Sequence, residues 1–455
     1  MQEAKNKHAR LFGILLILAF CFGLKAQTGK TDSEAKVQWL KDNALPIRTI
    51  TPDDEDFSDL MPLVDKIGYA RLVLLGEQSH GDGNVFLLKA RLIRFLHQVM
   101  GFDVLAWESG LYDCRRMEAA LHADIPLEEA ISTGIFPIWG LSEQVHPVFA
   151  YARSTYGKPR PLIMAGFDCQ LSTAQSAENF LSDIKTFFSK AQMTGLEEEG
   201  WDLFKEALDA KKLRSMAEEK RSIHKKNIEI LLRTILDSQP KLAPYHSRGE
   251  IDFMKKILSG YRTYFGMIEK MLSGEKRTVL DNNVRDAVMA ENLLWLVEKA
   301  FPEQKIIVWA ATLHNMRRIN QVQTNNPNLS YEGLITMGHP VYEKLEDDVY
   351  SIGFSAFEGK AGNVFLKQPY NIPAAPENSL EELCHRTGQE MLFIDFKGIR
   401  ADSEHWLNQK LKSRPLGHAL MDAVWPIHLD AMIFTDKVTP STRLRKKDEQ
   451  QNRLK

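Results

Sequence analysis

Arg71-Leu72-Val73-Leu74-Leu75-Gly76-Glu77-Gln78-Ser79-His80 is the stretch on which the reading of this chain turns. A short apolar run ended by glycine reads as a buried strand, and the carboxylate and imidazole after it then fall at the strand's carboxyl end. The arrangement recurs along the chain. Residues 103–107 run into Glu108-Ser109-Gly110, residues 161–166 run into Phe167-Asp168, and residues 305–310 lead to His314. Runs at 349–354, 391–396 and 431–434 have the same apolar character. Between the first strands the period changes: Val85, Leu88, Leu92, Phe95, Leu96 and Val99 recur at helical spacing. Strands separated by helices predict an α/β fold with a mainly parallel central sheet flanked by helices.

The middle of the chain differs. Residues 171–300 are rich in Lys, Glu, Leu and Met, hold no convincing strand, and read as long amphipathic helices at 222–237 and 251–272. This predicts a large all-helical insertion, an arm or lid, dividing an α/β core made of residues 27–170 and 301–438. Residues 439–455 form a polar, basic tail, expected to be solvated. At the other end, Lys5, Lys7 and Arg10 precede an apolar run closed by Ala26, which reads as a signal peptide over residues 1–26. The apolar run is short for a permanent membrane anchor, which needs roughly 20 residues. An exported protein, periplasmic or secreted, is expected.

Composition narrows the function. With 44% hydrophobic and 26% charged residues the chain is globular, and its net charge of −2, without a basic stripe, gives no sign of a nucleic-acid partner. Cys114, Cys169 and Cys384, the cysteines left after residue 26, are too few and too scattered for a disulfide framework or a zinc site. There is no G-x-S-x-G elbow, no H-E-x-x-H and no phosphate-binding glycine loop. In open α/β sheets ligands bind outside the carboxyl ends of the strands. If the four strands are parallel neighbours, Glu77, His80, Glu108, Asp168 and His314 meet there. Each alone has a plainer reading: Glu108 as a helix cap, Asp168 as a turn former, either histidine as structural. Together they point to acid–base chemistry on water, with or without a metal.

At these residues the chain resembles the erythromycin esterase family. Gly76-Glu77-Gln78-Ser79-His80-Gly81 is similar to that family's G-E-x-T-H-G, with Ser79 for Thr, and Glu108-Ser109-Gly110 is similar to its Glu-Ala-Gly element. Trp139, Gly166-Phe167-Asp168, Arg285-Asp286, Met337-Gly338 and Tyr350-Ser351-Ile352-Gly353-Phe354 follow in the family's order. The resemblance implies hydrolysis of a small-molecule ester, the macrolactone of 14-membered macrolides, without cofactor or metal. It implies His80 as general base, Glu77 and Glu108 as groups that orient water and imidazole, and His314 as a further catalytic residue. Lys89 would line the cleft, with Trp139, Asp168 and His339 as further substrate-binding candidates. One departure stands out. Where the family reads Trp-Ala-His-Asn-x-His, this chain reads Trp309-Ala310-Ala311-Thr312-Leu313-His314, so one imidazole is missing. A metal-assisted hydrolase and an exported binding protein that has lost activity remain the competing readings.

Overall fold

The computed structural model describes residues 32–445 other than Ala174, Arg277, Asn325 and Asn328, and gathers all seven apolar runs into one nine-stranded sheet. Its strands are β1 (Leu45–Pro46), β2 (Leu72–Leu75), β3 (Phe102–Gly110), β4 (Ile163–Asp168), β5 (Lys305–Trp309), β7 (Val349–Ala361), β8 (Tyr370–Ile372), β9 (Met391–Asp395) and β12 (Ala431–Val438), ordered β1-β9-β12-β7-β2-β5-β3-β4 with β8 beside β7. Six strands, from β12 through β4, run parallel, while β1, β8 and β9 are antiparallel additions.

The apolar runs are continuous because both faces of the sheet are covered. Leu72, Leu74, Val104, Ala106, Ile306 and Val308 enter one apolar cluster. The residues between them, Val73, Leu75, Leu105, Trp107, Ile307 and Trp309, enter the other. That alternation is the two-residue period of a strand. Helix α1 (Gly83–Met100) covers the second face with Val85, Leu88, Leu92 and Phe95, and ends at Gly101 in the left-handed conformation. Helix α2 (Leu111–Leu121) follows β3 directly.

Between β4 and β5 the described residues are helical: α3 (Ser176–Lys190), α4 (Glu198–Leu208), α5 (Glu218–Asp237), α6 (Arg248–Leu272) and α7 (Val279–Trp295) are the main elements. Phe180, Phe204, Leu231, Leu258, Phe265 and Met289 carry this insertion into the cluster on the first sheet face. Ser247 and Glu250 form a capping box at the start of α6, as Thr278 and Asp281 do at α7. Each box satisfies helix-end N–H groups and contributes about 1 kcal/mol. The helices at 218–237 and 248–272 start about a turn earlier than their apolar periodicity predicts, because their first turns carry polar residues.

Five strands were not legible as apolar runs. β1, β8 and β6 (Gln323–Thr324) are two or three residues long. β10 (Leu411–Leu416) and β11 (Ala419–Ala423) contain Lys412, Ser413, Arg414 and Asp422, and form with β6 a separate three-stranded sheet. The polar tail also needs correction over its described part. Gly83 donates to Thr439 O, Ser441 to Gly81 O and Leu444 to Leu141 O, so residues 439–445 are pinned across the start of α1. The expected signal peptide, residues 1–26, lies outside the described residues. Among the described residues no helix is long and apolar enough to cross a membrane.

Candidate active site

β2, β5, β3 and β4 are consecutive, parallel neighbours, so their carboxyl ends share one edge. The loops after β2 and β5 are tightly joined there: Thr312 N–H donates to Glu77 O at 3.0 Å. Gly76 makes the approach possible, since a Cβ at that position would meet Thr312 Oγ1 at 2.4 Å.

One half of the edge is built on Glu77, whose side chain has no exposure. Its Oε1 accepts from Trp139 Nε1 at 3.1 Å and lies 2.7 Å from His80 Nδ1, while its Oε2 accepts from Lys89 Nζ at 2.8 Å. The Lys89 ammonium also rests over the Trp309 ring, 3.8 Å from its centre. Burial alone would push the Glu77 pKa up, but Lys89 and His80 outweigh it and hold the carboxyl below its usual range. Burial pushes Lys89 down to about 8 against the pull of Glu77. For His80 burial lowers the pKa, and the bond to Glu77 and the charges of Glu77 and Glu108 more than reverse this. The His80 side chain keeps 37% exposure. In the neutral ring, with Nδ1–H donated to Glu77, Nε2 carries the lone pair.

The other half is built on Glu108 and His314. Glu108 Oε1 lies 3.2 Å from His314 Nε2 and 3.0 Å from Arg285 Nη2, and its Oε2 accepts from Ala311 N at 2.9 Å. Asp286 Oδ1 lies 2.7 Å from His314 Nδ1 and also accepts from Met337 N. Arg285 reaches Asp168 Oδ2 at 2.5 Å. Burial would lower the His314 pKa, but Asp286 and Glu108 overcome it and push it up to about 10. Burial likewise opposes the ionisation of Glu108, and His314 and Arg285 hold its carboxyl well below the usual range. Arg285 Nη1 stands 3.3 Å from His314 Nε2, a contact that suits a neutral ring. The two nearer carboxylates, one at each ring nitrogen, favour the imidazolium instead.

The structure brings Glu77, His80, Glu108, His314 and Asp168 to one edge, and corrects what several neighbours do. Lys89 is not exposed to the cleft; its side chain is wholly buried as the counter-ion of Glu77. Trp139 and Asp168 are buried too, Trp139 bonded to Glu77 and Asp168 paired with Arg285. His339 stands in the first turn of a helix, Gly338–Leu345, with its Nε2 3.5 Å from Glu343. Arg285 and Asp286, noted in the sequence only as matching residues, are structural centres of the second half. They come from α7 of the insertion, which no strand-end pattern could point to.

Beside Arg285 and His314 opens a cavity of about 500 Å³, walled by Tyr264, Met267 and Met271 of α6. The insertion therefore contributes apolar side chains to the wall of this cavity, which His314 and Arg285 also line. Among the described residues no three His, Cys, Asp or Glu side chains are grouped to hold a metal ion. Cys114, Cys169 and Cys384 are free and buried.

Comparison with known proteins agrees with this architecture. A family profile described as erythromycin esterase matches residues 97–438. The candidate hydrolase YbfO of Bacillus subtilis is 26% identical, over 94% of this chain and 97% of its own length. Erythromycin esterase type II of Escherichia coli is 24% identical, over 80% of this chain and 90% of its own. The crystal structure of an erythromycin esterase mutant in its open conformation superposes with a TM-score of 0.65 at 18% identity, covering 87% of this chain and 98% of that one.

Proposed function

The chain belongs to the erythromycin esterase family, and from that premise we propose that it hydrolyses the macrolactone ester of 14-membered macrolides, with His80 as general base. Its family and relatives are hydrolases and esterases. The observation that carries the finer reading is the Lys89–Glu77–His80 chain, which fixes the imidazole by Nδ1 and leaves Nε2 open. In this reading Nε2 takes a proton from water as the water oxygen attacks the ester carbonyl. The tetrahedral oxyanion is stabilised by the positive charge of His314 and Arg285. Collapse breaks the bond to the ring oxygen, and the His80 imidazolium returns the proton to that oxygen as it leaves. The products are a carboxylic acid and an alcohol on one opened ring. Glu77 and Glu108 orient the imidazole and the water between them. The apolar wall of Tyr264, Met267 and Met271 suits a large, greasy substrate.

The test is incubation of purified protein, and of His80→Ala, with erythromycin, followed by mass spectrometry. Addition of one water by the wild type alone is the expected result; no conversion by the wild type removes the macrolide reading. Ala311 is the observation that favours a second reading, a binding protein of the same fold. Hydrolysis of any ester, abolished by His80→Ala, would dismiss it. We also propose export, on the signal-like residues 1–26, so that a macrolide is met outside the cytoplasm. Cell fractionation that finds the protein in the cytosol would contradict this.

A further inference from the structure

The loop that carries His80 is held by a hairpin whose tip has an uncommon backbone conformation. Leu416 of β10 pairs with Ala419 of β11, and the two residues between them, Gly417 (φ +62°) and His418 (φ +60°), are both left-handed. A two-residue turn of this kind favours asparagine, aspartate or glycine; any side chain with positive φ is uncommon, though histidine enters the left-handed region more readily than most. His418 does not point to solvent either: its side chain is only 4% exposed. Its Nε2 lies 3.0 Å from Asp82 Oδ1, and its Nδ1 lies 3.4 Å from Gln78 Nε2. Gly417 N–H donates to Gln78 O at 2.8 Å.

Asp82 is a second local exception. It occupies the N-cap of α1, where a carboxylate usually accepts from the helix's first N–H groups, yet it makes no such bond. It turns back into the loop instead. Its Oδ2 accepts from Ser79 N at 3.1 Å and its Oδ1 from Ser79 Oγ at 2.9 Å, while Ser79 Oγ accepts from Gly81 N at 3.2 Å. His80 is the residue enclosed by this ring. Two uncommon local choices, a left-handed histidine and an unused helix cap, thus converge on one loop. Such convergence marks a position whose geometry matters more than its local stability.

We propose that His418 is a positioning residue, which through Asp82 and Gln78 holds the His80 loop so that the imidazole keeps its bond to Glu77. The proposal deepens the reading of His80 as general base and rests on it. His418 reaches no substrate and takes no proton in the reaction.

The test is His418→Gly, a change that the turn's own backbone accepts without strain. Two readouts apply. Imidazole NMR of His80 needs no substrate. The wild type is expected to hold the Nδ1–H tautomer, while His418→Gly mixes both tautomers and lowers the His80 pKa towards its ordinary value, as the Glu77 bond loosens. In ester hydrolysis kcat is expected to fall roughly ten- to a hundredfold with KM within about twofold. Free imidazole, which fits the hole left behind, should restore much of the loss. An unchanged His80 tautomer and titration in His418→Gly overturns the proposal. So does a fall in kcat that imidazole does not repair. If the wild type hydrolyses no ester, the general-base reading fails by itself, and the NMR arm still decides whether His418 positions His80.

Discussion

His80 and His314 follow neighbouring strands of one sheet, and each touches a buried glutamate, yet their surroundings are opposite. His80 has one carboxylate at Nδ1 and keeps 37% of its side chain exposed. His314 has a carboxylate at each ring nitrogen and keeps 10%. One carboxylate fixes a tautomer and leaves a nitrogen free; two carboxylates lock in a proton at both. The same residue type is thereby prepared as a base in one place and as a cation in the other. The buried cations follow the same division: Lys89 holds Glu77 in the first half, and Arg285 joins Glu108 and Asp168 in the second.

The sharpest way to break this comparison is His80→Gln. We expect kcat for ester hydrolysis to fall about a thousandfold, with thermal stability nearly unchanged because the ring is partly exposed. Equal losses of activity and stability would mean that His80 is a structural residue. Lys89→Met comes next. Removing one partner of a buried ion pair leaves Glu77 without its counter-ion and should cost about 3 kcal/mol in chemical denaturation. A cost near that of an exposed pair such as Arg94–Asp53 would contradict the role given to Lys89.

The pH dependence of stability probes the second half. The folded pKa of His314 lies above its ordinary 6.5, at about 10. Its stabilisation is therefore fully present below pH 6.5 and is lost as pH rises through about 10. Between those limits wild-type stability should fall by on the order of 5 kcal/mol more than that of His314→Gln, read from denaturant midpoints. Parallel curves for the two proteins would show that His314 is not held as a cation. In the first half the sign concerns activity: His80 must be neutral, so hydrolysis should rise with pH through its raised pKa. The smallest effect expected is that of Ala311→His. Ala311 is partly exposed beside Glu108, and restoring an imidazole there should raise ester hydrolysis about fivefold, near 1 kcal/mol of barrier. A loss would show that this site has settled on a different arrangement.

Much of this edge was readable in the sequence because a parallel, doubly covered sheet writes its strands as apolar runs. Polar groups at their ends then have only one place to go. Glu77, Glu108, Asp168 and His314 were found that way. Depth was not readable. Position 89 lies on a helix with apolar neighbours on several sides, and nothing local says that its ammonium turns inward to Glu77. Arg285 and Asp286 were hidden differently, arriving from a helix of the insertion more than a hundred residues from the carboxylates at β3 and β4. His418 enters from a hairpin with polar strands, and only its backbone conformation reveals it.

The most direct test of the account is an NMR titration that follows the His80 and His314 imidazoles in the same sample. The account predicts that His314 stays doubly protonated to near pH 10, while His80 deprotonates at lower pH, above its ordinary 6.5, to a single Nδ1–H tautomer. Two histidines titrating together near pH 6.5, or a neutral His314 at pH 7, would contradict it.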